Sequence, residues 1–232
     1  MSTTNQPRAI SLDIVSDVVC PWCYIGSKRV MRALELVPDL DVQINWRPFQ
    51  LDPTIPAGGV DRTAYMLQKF GDQERIDAAH ERLVALGKEE GINFHFDRIT
   101  RAPNTLDAHR IIRWAQSNAT QSAVAERLFA LYFCEGVDIG DPAVLQEVAT
   151  QAGLDGEAVA NRLAGDWDKQ EVNEEIAVAA RLGITGVPFF IIDGRYGVAG
   201  AQSAQALADA LQQAANEPAT NETPAGKGST DA

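Results

Sequence analysis

Cysteine is scarce in this chain, with three in 232 residues. So few exclude a disulfide-stapled scaffold, which small secreted domains need and a chain of this length does not. Basic residues are also short, 20 Lys and Arg against 32 Asp and Glu, for a formal charge of −12. Sequence-independent binding to nucleic acid or to an anionic membrane draws on a basic patch that releases counterions, so neither is expected as a partner. No window approaches 18 consecutive apolar residues, and the first residues, MSTTNQPRAISLDIVSD, lack the charged head, apolar stretch and small-residue cleavage site of a signal peptide. The expected location is therefore the cytoplasm. The remainder, 45% hydrophobic and 22% charged, is the composition of a globular protein with its own core. In a reducing compartment two closely spaced cysteines point to catalysis or metal binding rather than to a structural bridge. The question becomes what Cys20 and Cys23 do.

From Ile10 to Val15 the residues alternate, with Ile10, Leu12 and Ile14 on one side, which predicts a half-buried strand running directly into Cys20. Pro21 suits the first position of a helix, where its missing N–H has no partner to lose, and Val30, Leu34 and Val37 continue at helical spacing until Pro38. That places Cys20 at a helix N-cap. Val42, Ile44 and Trp46 alternate again, so a second strand, parallel to the first, closes a βαβ unit before the turn-rich DPTIPAGG. Between about Thr63 and Leu182 the period becomes helical, with five or more helices that start at Asn104 and Asp141-Pro142 and stop at Gly91, Gly153 and Gly183. Strand chemistry returns in VPFFIID, a tight Asp193-Gly194 turn and RYGVAG, a hairpin followed by a helix from about Ser203 to Ala215. The organisation expected is a discontinuous α/β domain, 8–62 and 184–215, interrupted by an all-helical insertion, 63–183. The tail, 216–232, has no large apolar side chain and is expected to be disordered.

A C-x-x-C pair where a strand meets a helix is the strongest chemical signal. The helix N-terminus offers unpaired N–H groups and about half a positive charge, both of which favour a thiolate. Cys20, at the N-cap, is expected to be the reactive sulfur facing solvent, and Cys23, one turn further in, to resolve a mixed disulfide. A zinc site would need more ligands than Cys134 and the isolated His80, His95 and His109 provide in this spacing, so no metal is expected. Cys134, three residues after Leu131 on an apolar helix face, fits a small core residue. Phe189 and Phe190 suit burial in the sheet, while Trp22, inside the motif, is placed to touch substrate. His109, beside Arg110 on a predicted helix, is expected at the surface or an interface. Far along the chain, Val187-Pro188 opens a strand, a position where proline is tolerated and where a cis bond is common.

Taken in order, DIVSDVVCPWCYIG, WRPFQLDP, FHFDRITRAPNTLDAHR, EGVDIGDP and GITGVPFFIIDGRYGVAGAQS resemble the DsbA-like thioredoxin-fold oxidoreductases, and specifically their FrnE-like cytoplasmic branch, from Ser11 to Ser203. The resemblance implies an α/β thioredoxin-like fold with a helical insertion and a thiol–disulfide oxidoreductase or isomerase acting on protein or small-molecule disulfides. It also implies Cys20 as nucleophile, Cys23 as resolving thiol, and Pro188 as a cis-proline whose neighbour Val187 presents backbone groups to substrate. Kappa-class glutathione transferases and 2-hydroxychromene-2-carboxylate isomerases are similar along much of the chain but carry a serine in the motif. A glutathione-dependent transferase or isomerase is accordingly the alternative reading. Asn104, Gln202 and Ser203 resemble positions near the glutathione pocket of those relatives, which makes glutathione a candidate co-substrate; helix capping is the other account of the same residues. No permanently bound cofactor is implied. Whether exchange runs toward oxidation, reduction or isomerisation is not set by the two sulfurs themselves.

Overall fold

The computed structural model describes residues 9–115 and 118–217. Its first unit is β1 (Ile10–Ser16), α1 (Pro21–Leu36) and β2 (Val42–Pro48), with β1 and β2 parallel and Ile10 opposite Val42. Alternation places Ile10, Leu12 and Ile14 in the core as the sequence predicts. A two-stranded pairing too short to leave a sequence pattern follows, β3 (Val60–Asp61) with β4 (Arg101–Ala102). Between these two strands run α2 (Arg62–Phe70) and α3 (Gln73–Glu89). Asp61 and Asp72 cap them, their side chains accepting from the N–H groups of Ala64 and Arg75.

The chain continues through α4 (Leu106–Trp114), α5 (Asn118–Ala130), a π-helical turn Leu131–Glu135, α6 (Pro142–Gln151), α7 (Gly156–Leu163) and α8 (Lys169–Arg181). Gly91, Gly153 and Gly183 each take positive φ just beyond a helix end, a conformation that suits glycine. Then come β5 (Phe189–Ile192), β6 (Tyr196–Ala199) and α9 (Ala204–Asn216). Asp193 and Gly194 both have positive φ, as the tight two-residue turn between β5 and β6 demands. Of the tail expected over 216–232, Asn216 instead ends α9 and Glu217 caps it, while 218 onward lies outside the described residues.

The four strands form one sheet in the order β2-β1-β5-β6, with β5 antiparallel to β1 and to β6. The ends of the chain thus meet in the middle of the sheet, which brings Pro188 beside the CPWC motif. Helices α1 and α9 pack together over one face. Val15, Ala179 and Ile184 form a smaller apolar cluster with Phe49 and Phe189 against the other. The main core is continuous from Ile10 and Ile14 through Tyr24, Phe94, Leu128 and Phe133 to Leu207, so the helices and the sheet share one set of buried side chains.

Candidate active site

Cys20 stands where β1 gives way to α1. Its N–H donates to the Asp17 carbonyl at 3.0 Å, its backbone is extended, and its carbonyl receives the N–H groups of Cys23 and Tyr24, which starts the helix. The N-cap position is as expected, but the sulfur is not. Cys20 is only 3% exposed, and its side chain makes no capping bond. Instead the thiol donates to the carbonyl of Val187 at 3.6 Å. The reason lies outside the motif: the 186–188 loop reaches the sulfur, and α2 and α3 wall the cleft beside it. The Val187–Pro188 bond is cis. Gly26, two turns into α1, lets that loop approach: a Cβ there would lie 3.0 Å from Pro188 Cγ.

Cys23 is buried behind Cys20, and both cysteines are free thiols. Burial above all, then the adjoining Cys20 sulfur, push the Cys23 thiol well above its ordinary value. The Ser16 side chain and the Asp17 main chain pull the other way. Ser16 Oγ and Asp17 Oδ1 are both buried without a formed hydrogen bond. Asp17 Oδ2 accepts from the Leu51 N–H at 2.8 Å, and Oδ1 lies 3.6 Å from His109 Nε2. His109 is therefore not the surface residue its sequence context suggests. It is 5% exposed and sits 2.9 Å from the Phe49 carbonyl oxygen, because α4 packs its His109 face inward below the loop after β2. Arg110 beside it is fully buried, its guanidinium spread over Asp107 and the carbonyls of Arg162, Gly165 and Trp167.

Above Cys20 lies a cleft of about 330 Å³, walled by apolar side chains that include Trp22, Leu51, Ile55, Met66, Phe70 and Leu83. Its roof is α2 and α3, which sequence reasoning identified only as helical. Trp22 is half-buried with the Arg82 guanidinium 5.5 Å from its ring, and Arg62 lies 5.8 Å from the ring of Tyr132. The imidazole of His80 stacks on Phe96 at 4.1 Å, and its Nε2 is buried without a partner. Burial, and then the charge of Arg62, hold that imidazole below its usual range. The signal for this roof was present in Arg62, Lys69, His80 and Arg82, cationic or ionisable residues on two consecutive helices, but only tertiary packing brings Arg62, Lys69 and His80 to the cleft that Cys20 lines and Arg82 to the ring of Trp22.

The structure brings Cys20, Cys23, Trp22, Val187 and Pro188 together. Asn104, Gln202 and Ser203 do not line the cleft, and each has local work. Asn104 donates to the Ile55 carbonyl and accepts from the Leu106 N–H. Ser203 caps α9 through the Ala206 N–H, and exposed Gln202 donates to Ala199. Cys134 is half-buried in the π-helical turn, within hydrogen-bonding reach of the Tyr24 hydroxyl, and burial pushes its thiol up. Among the described residues no group of three or more His, Cys, Asp or Glu is placed to hold a metal ion, and no helix is long and apolar enough to cross a membrane.

Residues 11–212 match the DSBA-like thioredoxin domain family. The chain belongs to that family. A probable DsbA oxidoreductase from Streptomyces coelicolor superposes with a TM-score of 0.82 at 33% identity, covering 92% of this chain and 93% of that one. The uncharacterized protein YwbO of Bacillus subtilis is 28% identical over 187 residues, 79% of this chain and 86% of that one. The cytosolic disulfide reductase DsbM of Pseudomonas aeruginosa, also solved with GSH, shares the fold at a TM-score of 0.57 and 22% identity, over 88% of this chain and 95% of DsbM. As a member of the DSBA-like family, the chain has the fold expected of it, a thioredoxin-like sheet with many helices between its halves.

Proposed function

We propose that this DSBA-like protein is a dithiol–disulfide oxidoreductase of the FrnE-like cytoplasmic branch, in which Cys20 attacks and Cys23 resolves. The observation that carries this reading is the Cys20 thiol held against the Val187 carbonyl at the head of the Pro188 strand, with Cys23 buried behind it. In the reducing direction the Cys20 thiolate attacks one sulfur of a substrate disulfide. An S–S bond to Cys20 forms, and the first substrate thiolate leaves. Cys23 then gives up its proton and attacks the Cys20 sulfur, so that the second thiolate leaves and the enzyme holds a Cys20–Cys23 disulfide. Two electrons have passed to the substrate, and the oxidised enzyme runs the same steps backward with a dithiol. The Val187 backbone would pair with an extended substrate segment, and Trp22 would flank it.

Glutathione is the proposed co-substrate, two molecules returning the enzyme to its dithiol form with release of glutathione disulfide. The residues 63–183 act in this reading as an inserted unit that roofs the site. An insulin-reduction assay tests it, with Cys20→Ser expected to abolish turnover and Cys23→Ser expected to accumulate a mixed disulfide at Cys20. A glutathione-dependent transferase or isomerase would instead leave insulin untouched and survive Cys20→Ser, since relatives of that kind use a serine.

A further inference from the structure

The cations around the cleft are unusual for what they lack. The chain carries a net charge of −12, and most described arginines are tied to carboxylates. Arg29 and Arg32 hold Glu90, Arg47 holds Asp13, Arg113 holds Glu175, and Arg127 holds Glu135. Like Arg98, Arg162 and Arg181 away from the cleft, Arg62 and Arg82 are among the minority that are not so tied. Their guanidinium groups lie over the rings of Tyr132 and Trp22, and neither forms an ion pair with a described carboxylate. Arg62 lines the cleft over Cys20, and Arg82, itself exposed, lies against the ring of Trp22, which lines the cleft too. His80, which also lines the cleft, has a buried Nε2 with no partner.

The two carboxylates of the same cleft each hold a partner, although Asp17 keeps Oδ1 without a formed hydrogen bond. Asp52 accepts from Thr54 and faces Lys69, and Asp17 holds the Leu51 N–H while facing His109. Arginine over an aromatic face keeps its donors free for a planar anion, and a water-poor apolar cleft strengthens that attraction. A volume of about 330 Å³ lies at the small end of ligand pockets and fits a compact molecule or one inserted chain segment rather than a folded surface.

We infer that the cleft selects disulfides and thiols that carry a carboxylate or similar anion beside an apolar body, with Arg62 and Arg82 taking the anion and His80 Nε2 supplying a further hydrogen bond. This rests on the Cys20 exchange chemistry proposed above and names its substrate class. With an anionic aromatic disulfide, the Cys20 thiolate attacks one sulfur and releases one aryl thiolate. Cys23 then loses its proton and releases the second, leaving the Cys20–Cys23 disulfide.

The test compares two aromatic disulfides on the reduced full-length protein near neutral pH, 5,5′-dithiobis(2-nitrobenzoate), a dianion, and 4,4′-dithiodipyridine, which is uncharged. Stopped-flow absorbance gives the rate of the first release, and each rate is divided by that of 2-mercaptoethanol in the same buffer. The normalised preference for the anionic probe should be about tenfold or more at low salt and shrink as potassium chloride is added. The Arg62→Gln/Arg82→Gln variant should lose about tenfold with the anionic probe and much less with the neutral one, whose continuing reaction also reports a folded site. Arg62→Lys, which keeps the charge, should fall between wild type and Arg62→Gln. Equal normalised rates for the two probes, or an unchanged ratio in the double variant, would overturn the inference while leaving thiol exchange standing. If neither probe reacts at Cys20, the exchange chemistry itself fails.

Discussion

The Cys20 thiol donates to the Val187 carbonyl at 3.6 Å, joining positions 167 residues apart in the chain. That bond closes the active-site face, because the thiol that should react is covered by the loop against which a substrate strand would lie. In the proposed reading, substrate backbone arriving at Val187 would compete for the same carbonyl, so that binding and uncovering of the sulfur would be one event.

Brief iodoacetamide labelling followed by mass spectrometry should modify Cys20 first, Cys134 slowly and Cys23 hardly at all. Cys134 is half-buried with its thiol pushed up by burial, and Cys23 is both buried and pushed well up. Only Cys20 combines a helix N-terminus with a neighbouring cleft. Preferential labelling of Cys134 would reverse the assignment of the nucleophile.

Resolution of the mixed disulfide should be strongly pH dependent. A thiol whose value is raised above the ordinary one stays protonated through the neutral range, and only its thiolate attacks. The rate should therefore climb roughly tenfold per pH unit for as long as the pH remains below the Cys23 value. The Ser16 hydroxyl, without a formed hydrogen bond in the dithiol, favours that thiolate, and Ser16→Ala should slow resolution by about tenfold, the weight of one hydrogen bond gained by the charged sulfur, about 1.5 kcal/mol. Acid quenching and mass spectrometry of the mixed-disulfide lifetime read both effects. A lifetime independent of pH would mean that Cys23 is not the resolving group.

Trp22→His tests how far the motif itself sets the redox poise. A protonated imidazole adds positive charge beside Cys20, which stabilises the thiolate, the reduced form, and hence a more oxidising disulfide. The reduction potential should rise by some tens of millivolts, where about 30 mV corresponds to 1.4 kcal/mol. Arg82 already stands over residue 22, so the added charge meets a like charge and the rise should be larger in acid than at neutral pH. Equilibration against glutathione buffers measures it, and a potential that holds steady or falls would assign the poise to the surrounding protein.

The parts of the fold that could be read beforehand are those written locally. Ile10, Leu12 and Ile14 alternate, Pro21 starts a helix, Asp193-Gly194 can scarcely be anything but a turn, and each appears as expected. The candidate site was legible to the same extent, since Cys20, Cys23 and Pro188 stand out by residue type and the fold brings them to one place. What stayed hidden depends on distant packing. The cover over Cys20 comes from the Val187 loop 167 positions away, the inward turn of His109 goes with the loop that follows β2, and the buried, partnerless Nε2 of His80 goes with its stacking on Phe96. The two-residue strands Val60–Asp61 and Arg101–Ala102 are simply too short for a period to show.

Gly26 offered one usable hint, a glycine in the interior of a helix otherwise suited to larger residues. Alanine there would ordinarily help, by about 0.5–1 kcal/mol of helix propensity. Here the added methyl would lie 3.0 Å from Pro188 Cγ and 3.3 Å from Phe190 Cζ. Neither neighbour yields easily, since Phe190 is fully buried and Pro188 adjoins a strand hydrogen-bonded on both sides. Overpacking costs about 1–3 kcal/mol, so Gly26→Ala should lose roughly 1 kcal/mol net. The cheapest relief is to push Pro188 outward, which moves the Val187 backbone, the proposed pairing edge for substrate, away from its place beside Cys20 and should slow exchange for that reason. Urea denaturation and insulin reduction on the same preparation separate the two effects: a variant that gained stability and kept full activity would show that the loop moves freely and that its approach to α1 does not position the site.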